Sequence, residues 1–283
     1  MIESTFDVGG AVVFWTASEC TNRDKLRIGL QAIQLAQFVP DPRPPASVLK
    51  DALEETLGGA RILVRPLADR DGFTVIKEER GQNANYYATE LIARVRNPNV
   101  PTIEYDPYDA RAIRVNESFQ RHSSTIPATQ LSACLVKIVD ALGGTRLRPT
   151  GAVYWIPQHK LDEWSLVAQA VESASEGKPS AVYLLRHRLD SEAIRAIRDA
   201  VICEVQAATT RMADEIAIGD LGSRALETRK VLAQELREKV LLYEDLLSVG
   251  LTELHRAIDQ ADQAAATASL LLASQSNPVL QNV

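Results

Sequence analysis

Residues able to do chemistry are present in this chain, but few stand at spacings that would let them act together. The four histidines, His122, His159, His187 and His255, have no histidine or cysteine partner at a metal-ligand spacing, so no metal site is expected. His255 follows an apolar helical position, where a solvated imidazole is the plainer reading. Ser123-Ser124 beside His122 suggests a nucleophile with its base, yet adjacency does not supply the geometry and no GxSxG elbow is present. Glu78-Glu79 falls in a strand-like segment, which sends the two carboxylates to opposite faces. The glycine pairs Gly58-Gly59 and Gly143-Gly144 follow a helix pattern and precede a strand pattern. A phosphate loop needs the reverse order, with the helix N-terminus after the glycines. Gly9-Gly10 precedes a strand, and neither GxxxxGK[ST] nor GxGxxG occurs. No catalytic residue and no cofactor are expected, and the chain reads as non-enzymatic.

One grouping suggests binding. Arg146 and Arg148 alternate with Leu147 and would share a strand face, as would Arg61 and Arg65. From Arg121 to Lys160 the chain has five basic residues and one acidic, a local balance of +4. Arg121, Lys137, Arg146, Arg148 and Lys160 could hold phosphates while Tyr154, or Trp155, stacks on a base, which makes nucleic acid a candidate partner. The opposing fact is the net charge of −6, which gives the whole molecule no attraction to nucleic acid or anionic membrane. An exposed sheet face that uses charge to protect its edge is the preferred reading of the arginines.

The elements that would carry these residues show a repeat. LGGARILVRP begins at Leu57 and LGGTRLRP at Leu142, each after a helical stripe: Val48, Leu49, Ala52, Leu53 in the first, Leu131, Leu135, Ile138, Val139 in the second. Glycine after a helix accepts the left-handed conformation, so both pairs are expected to end a helix that way. In the first copy Arg61–Leu67, Phe73–Glu79 and Tyr86–Val95 read as a three-stranded antiparallel meander, with a turn at Asp69–Gly72. In the second, Arg146–Arg148 and Ala152–Ile156 read as strands around a turn at Pro149-Thr150-Gly151. A helix ended by glycine and followed by a β-hairpin is also the back half of a winged-helix module. The fold class expected is α+β, with two duplicated, winged-helix-like helix–GlyGly–hairpin modules. Boundaries fall at 1–96 and 111–189 for the modules, with a proline-marked linker over 97–110.

Two long helices follow over 190–272, and the tail 273–283 reads as loose. Gly219-Asp220-Leu221-Gly222 separates Ile194–Ile216 from a stripe that continues without a visible stop from Leu232 to Leu272. Such a stripe predicts an antiparallel helical hairpin or coiled coil whose second helix outruns the first. Its far end would lack an intrachain partner. Leu247, Leu251, Leu254, Ile258, Ala261, Ala265, Ala268 and Leu272 are therefore expected to form an oligomer or partner interface. The function expected is protein binding or scaffolding through that hairpin, as a homo-oligomer or with another protein. The alternative is a nucleic-acid-binding protein that uses the hairpin as dimeriser.

Composition agrees with a globular protein: 46% hydrophobic residues against 24% charged, too apolar for a disordered chain. No apolar run approaches the ~20 residues that span a bilayer, and the acidic start carries no secretory signal, so no membrane partner is expected. Cys20, Cys134 and Cys203 are odd in number and far apart, and are expected to be reduced, buried thiols of a cytoplasmic protein. Val13-Phe14-Trp15-Thr16-Ala17-Ser18, Val64-Arg65-Pro66-Leu67, Val153-Tyr154-Trp155, Arg224-Ala225-Leu226-Glu227 and Asp259-Gln260-Ala261-Asp262-Gln263-Ala264-Ala265 together resemble an uncharacterised protein family of bacteria and their phages. The resemblance covers most of the chain. It implies a full-length cytoplasmic protein and assigns no activity.

Overall fold

The computed structural model describes residues 9–81, 84–97, 100–148, 151–177, 179–219 and 221–275. The chain runs β1 (Gly10–Thr16), β2 (Thr21–Asn22), α1 (Arg23–Gln31), α2 (Pro45–Leu57), β3 (Ile62–Pro66), β4 (Gly72–Arg80), β5 (Asn85–Arg96) and β6 (Thr102–Asp106). It continues with α3 (Arg111–Ser124), β7 (Thr125–Ile126), α4 (Ala128–Ala141), β8 (Thr145–Arg146), β9 (Tyr154–Pro157) and α5 (Leu161–Ala174). The last elements are β10 (Ala181–His187), α6 (Ser191–Ile218), α7 (Ser223–Leu247) and α8 (Thr252–Gln275). The fold is mixed α+β, with three small antiparallel sheets and a helical C-terminal part. Two compact units share it: Ala17–Cys134 with Gln169–Ala181, and the segments up to Thr16, Leu135–Ala168 and Val182 onward.

In the unit around residues 17–134, β3–β4–β5–β6 form one sheet in chain order, with Val64 opposite Val75, Val75 opposite Leu91 and Ala93 opposite Tyr105. Alternation places Phe73, Val75, Leu91 and Ala93 on one face, where Val48, Leu49, Ala52 and Leu53 of α2 and Val115 and Phe119 of α3 cover them. The meander therefore has a fourth strand, β6, inside the stretch expected as linker. Ile103 and Tyr105 alternate with Thr102, Glu104 and Asp106 there. The prolines on either side, Pro101 and Pro107, hide a strand that sits at the edge of its sheet, where proline is tolerated.

In the other unit the sheet order is β10–β1–β9–β8, with Val12 opposite Trp155 and Val13 opposite Tyr154. Gly10 permits the β1–β9 approach: a Cβ there would lie 2.4 Å from the Ile156 carbonyl oxygen and 2.5 Å from the Trp155 ring. On one face Trp15 stacks on Tyr154 at 5.2 Å and tilts against Trp164. On the other, Trp155 and Val12 belong to the core of the C-terminal helices.

Both repeated segments show a helix, a glycine pair and two antiparallel strands, α2–β3–β4 and α4–β8–β9. They differ in detail. Gly143 adopts the left-handed conformation at φ 69°, as expected, but Gly58 does not: at φ −58°, ψ 148° it leaves α2 through an extended turn, and Gly59 bridges to Ile62. The turn expected at Pro149-Thr150 and most of the tail expected over 273–283 lie outside the described residues.

The largest correction concerns the C-terminal stripe. It is not one helix. Ser248 turns left-handed at φ 53°, Gly250 follows, and α8 starts at Thr252. The apolar positions keep helical spacing across the break because Leu247, Leu251 and Leu254 all enter the same core from the two sides of the turn. Three helices thus pack together, and Leu254, Ile258, Ala261 and Ala265 are buried within their own chain. The premise that this end of the stripe lacks an intrachain partner fails, because α8 folds back on α7 and also meets α6.

Candidate functional site

The polar groups of the molecule are built into its joints. Glu204 of α6 accepts hydrogen bonds from Thr145 of β8 at 2.7 Å and from Lys239 of α7. Lys239 also donates to the Gly144 carbonyl at 2.7 Å, and the buried Tyr243 hydroxyl donates to the Gly143 carbonyl at 2.9 Å. Burial pushes the Tyr243 phenol well above its ordinary range, so it serves as a fixed donor. The second glycine pair is therefore held through its carbonyls, the reverse of the N–H donors that a phosphate loop presents.

A second cluster ties α2 to α3. Glu55 accepts from Ser118, Arg121 and His122, and the Ser118 hydroxyl is the main cause that holds its carboxyl below the usual range. Serine and histidine both bond to the carboxylate, so the set is not a nucleophile–base relay, which needs a bond from serine to histidine. Nearby, Arg23, only 7% exposed, donates to the Ser123 carbonyl at 2.7 Å, and Arg43 donates to the His122 carbonyl at 3.2 Å while pairing with Asp51. Two cations thus cap the carbonyl end of α3, where the helix dipole favours positive charge.

The basic residues considered for nucleic acid belong to two different units. Arg121 lies in the unit of residues 17–134 and is paired with Glu55, whereas Lys137, Arg146, Arg148, Tyr154 and Lys160 lie in the other unit. Lys160 is paired with Glu163 at 2.6 Å. Tyr154 is 2% exposed, sandwiched by Trp15 and bonded through its hydroxyl to Arg146, so no base can stack on it without opening the core. Lys137, Arg146 and Arg148 remain exposed. Cys134 is buried as expected, but Cys20 is half-buried and Cys203 is exposed on a shallow groove along α6 between Asp199 and Asp214. Among the described residues no cluster could hold a metal, and no helix is long and apolar enough to cross a membrane.

The α7–α8 turn is closed by one carboxylate. Glu244 bonds to the His255 imidazole at 3.0 Å and accepts from the Leu251 amide, and these two bonds, His255 first, depress its pKa from the ordinary 4.5. A depressed carboxyl contributes stability above its unfolded pKa and loses it as the pH falls through the folded value. The clasp is therefore complete near neutrality, and its contribution is lost progressively as the pH falls from the ordinary 4.5 through the depressed folded value. The urea midpoint of wild type should exceed that of Glu244→Gln at neutral pH and converge on it in strong acid; a constant difference would refute the assignment.

The C-terminal helices also leave large apolar side chains uncovered. Arg229 pairs with Glu215, and Arg237 with Asp259 and Asp262, which sets the register of the three C-terminal helices. By that register the end of α6, the first turn of α7 and the end of α8 share one end of the bundle. Ile218 there is 76% exposed, Leu270 73% and Leu271 59%. Of the eight residues expected as an interface, Leu247, Leu251, Leu254, Ile258, Ala261 and Ala265 are buried, while Ala268 and Leu272, toward this same end, are half-buried. Ile218, Leu270 and Leu271 stand outside the apolar stripe, and Leu270-Leu271-Leu272 is the sequence signal for two of them: three consecutive leucines exceed what one helix face can bury.

The chain belongs to DUF6744, a family of unknown function, which it matches over residues 7–276. No curated protein and no solved structure matches it.

Proposed function

We propose that this is a non-enzymatic, protein-binding scaffold of the cytoplasm, which docks a partner protein through the free end of its C-terminal helical bundle. The observation that carries the reading is the exposure of Ile218, Leu270 and Leu271 together at that end. Large aliphatic side chains held in water at the tip of an otherwise well-filled bundle are the composition of an interface core. Support also comes from the polar clusters: their carboxylates and cations satisfy one another and the helix ends, which leaves them little to offer a substrate. The free thiols of Cys20 and Cys203 fit a reducing compartment. The helix–glycine–hairpin order shared by α2–β3–β4 and α4–β8–β9 fits an ancestral duplication within a winged-helix-like scaffold, and superposition of the two segments tests that origin.

The functional test is affinity capture from the native host with the full chain, followed by reconstitution with the purified partner. Leu270→Asp with Leu271→Asp should weaken that binding by at least about thirtyfold, as expected of central apolar contacts. Equal binding by the variant and wild type would overturn the docking site.

A further inference from the structure

β10 closes one side of the sheet β10–β1–β9–β8, and among the described residues no strand lies beyond it. An edge strand leaves a row of backbone donors and acceptors open, and proteins guard such rows with lysine, proline, bulges or very short strands. β10 is seven residues long, AVYLLRH, with no proline, glycine, lysine or acid, and its ionisable side chains, Arg186 and His187, stand only at its end. Its outward face is apolar as well. Tyr183 is 45% exposed and Leu185 58%, and Phe14 of β1 stacks on Tyr183 at 4.9 Å with the rings 20° apart. Aromatic and aliphatic residues at low charge density are the sequence of a strand that pairs with another strand.

We propose that the strand completing this edge is β10 of a second copy, antiparallel about a twofold axis at Leu184. A twofold contact requires one surface to be its own complement. About Leu184, Tyr183 of each copy faces Leu185 of the other, which makes two identical aromatic–aliphatic cross-strand pairs on one face. Charge selects the direction. The ionisable side chains Arg186 and His187 lie at the same end of the strand, so a parallel pairing would set Arg186 against Arg186. The antiparallel register separates the two Arg186 residues by four steps, about 14 Å at ~3.4 Å per residue, beyond the ~8 Å Debye length at physiological salt. The product is one continuous sheet across two protomers. This contact is independent of the bundle end and uses a different surface.

The test is sedimentation of the purified full chain over a wide concentration range. Wild type should dimerise. Tyr183→Lys with Leu185→Lys sets like charges face to face twice and should weaken the dimer by at least about thirtyfold. Tyr183→Glu with Leu185→Lys sets opposite charges across the same positions and should restore it. Both positions are exposed, and circular dichroism checks each variant; should the double-lysine protein fail to fold, the charge-swap variant still reads the register. Leu270→Asp with Leu271→Asp should leave the dimer intact, which separates this inference from the docking site. A wild-type monomer at every concentration, a dimer indifferent to the double lysine, or a charge swap that restores nothing would each overturn the proposal; the last would point to a strand from another protein.

Discussion

Ala261→Glu with Ala265→Glu is expected to melt the C-terminal bundle of the isolated chain. Both alanines are buried, and Ala261 belongs to the core that α8 shares with α6 and α7. An unpaired charge left in a protein interior costs roughly 3–5 kcal/mol, and two such charges approach the ~5–15 kcal/mol that holds a whole domain. Far-ultraviolet circular dichroism should show a large loss of helix with no cooperative transition from this part. Gln260→Glu with Gln263→Glu, on the exposed face of the same helix, should change little. Had the stripe been the intermolecular seam that its periodicity suggested, the alanine variant would instead have dissociated an assembly of intact chains. A double-glutamate protein with the wild-type urea midpoint would place these alanines at a surface.

Lys239→Met is expected to cost about 2–3 kcal/mol, less than a fully buried pair because Glu204 keeps 32% of its side chain exposed. The substitution leaves the Gly144 carbonyl without its side-chain donor and the Glu204 carboxylate with Thr145 as its remaining protein donor. Glu204→Gln added to Lys239→Met should recover about half of the loss, since a neutral amide still accepts from Thr145 without a buried charge to compensate. Urea midpoints at constant slope give both values. If Lys239→Met is neutral, the ammonium is solvated and the lock between α6, α7 and the glycine turn does not hold.

The amino-acid sequence by itself determined the local elements wherever one signal stood alone. Gly219, at φ 76°, ends α6 where its spacing said a helix should stop, and Asp190 caps the start through the Ala193 amide. The strands at Ile62–Pro66, Gly72–Arg80 and Asn85–Arg96 follow from alternation that no competing pattern blurs.

Tertiary structure decided what periodicity cannot distinguish. A stripe at helical spacing records that residues share a core, not that they share a helix: Leu247 and Leu251 stand four apart on either side of a reversed chain and still meet. Gly250 carried the only local warning, and an apolar repeat of that length outweighs one glycine in any sequence reading. Burial of Tyr154 came the same way, since an exposed stacking platform and a core ring have identical sequence and differ only in whether Trp15 arrives on top. Ile218, Leu270, Leu271 and the Tyr183–Leu185 face of β10 are exposed where elements end or a sheet stops. Whether a neighbouring element covers such a position is a property of the packing, which only the folded chain contains.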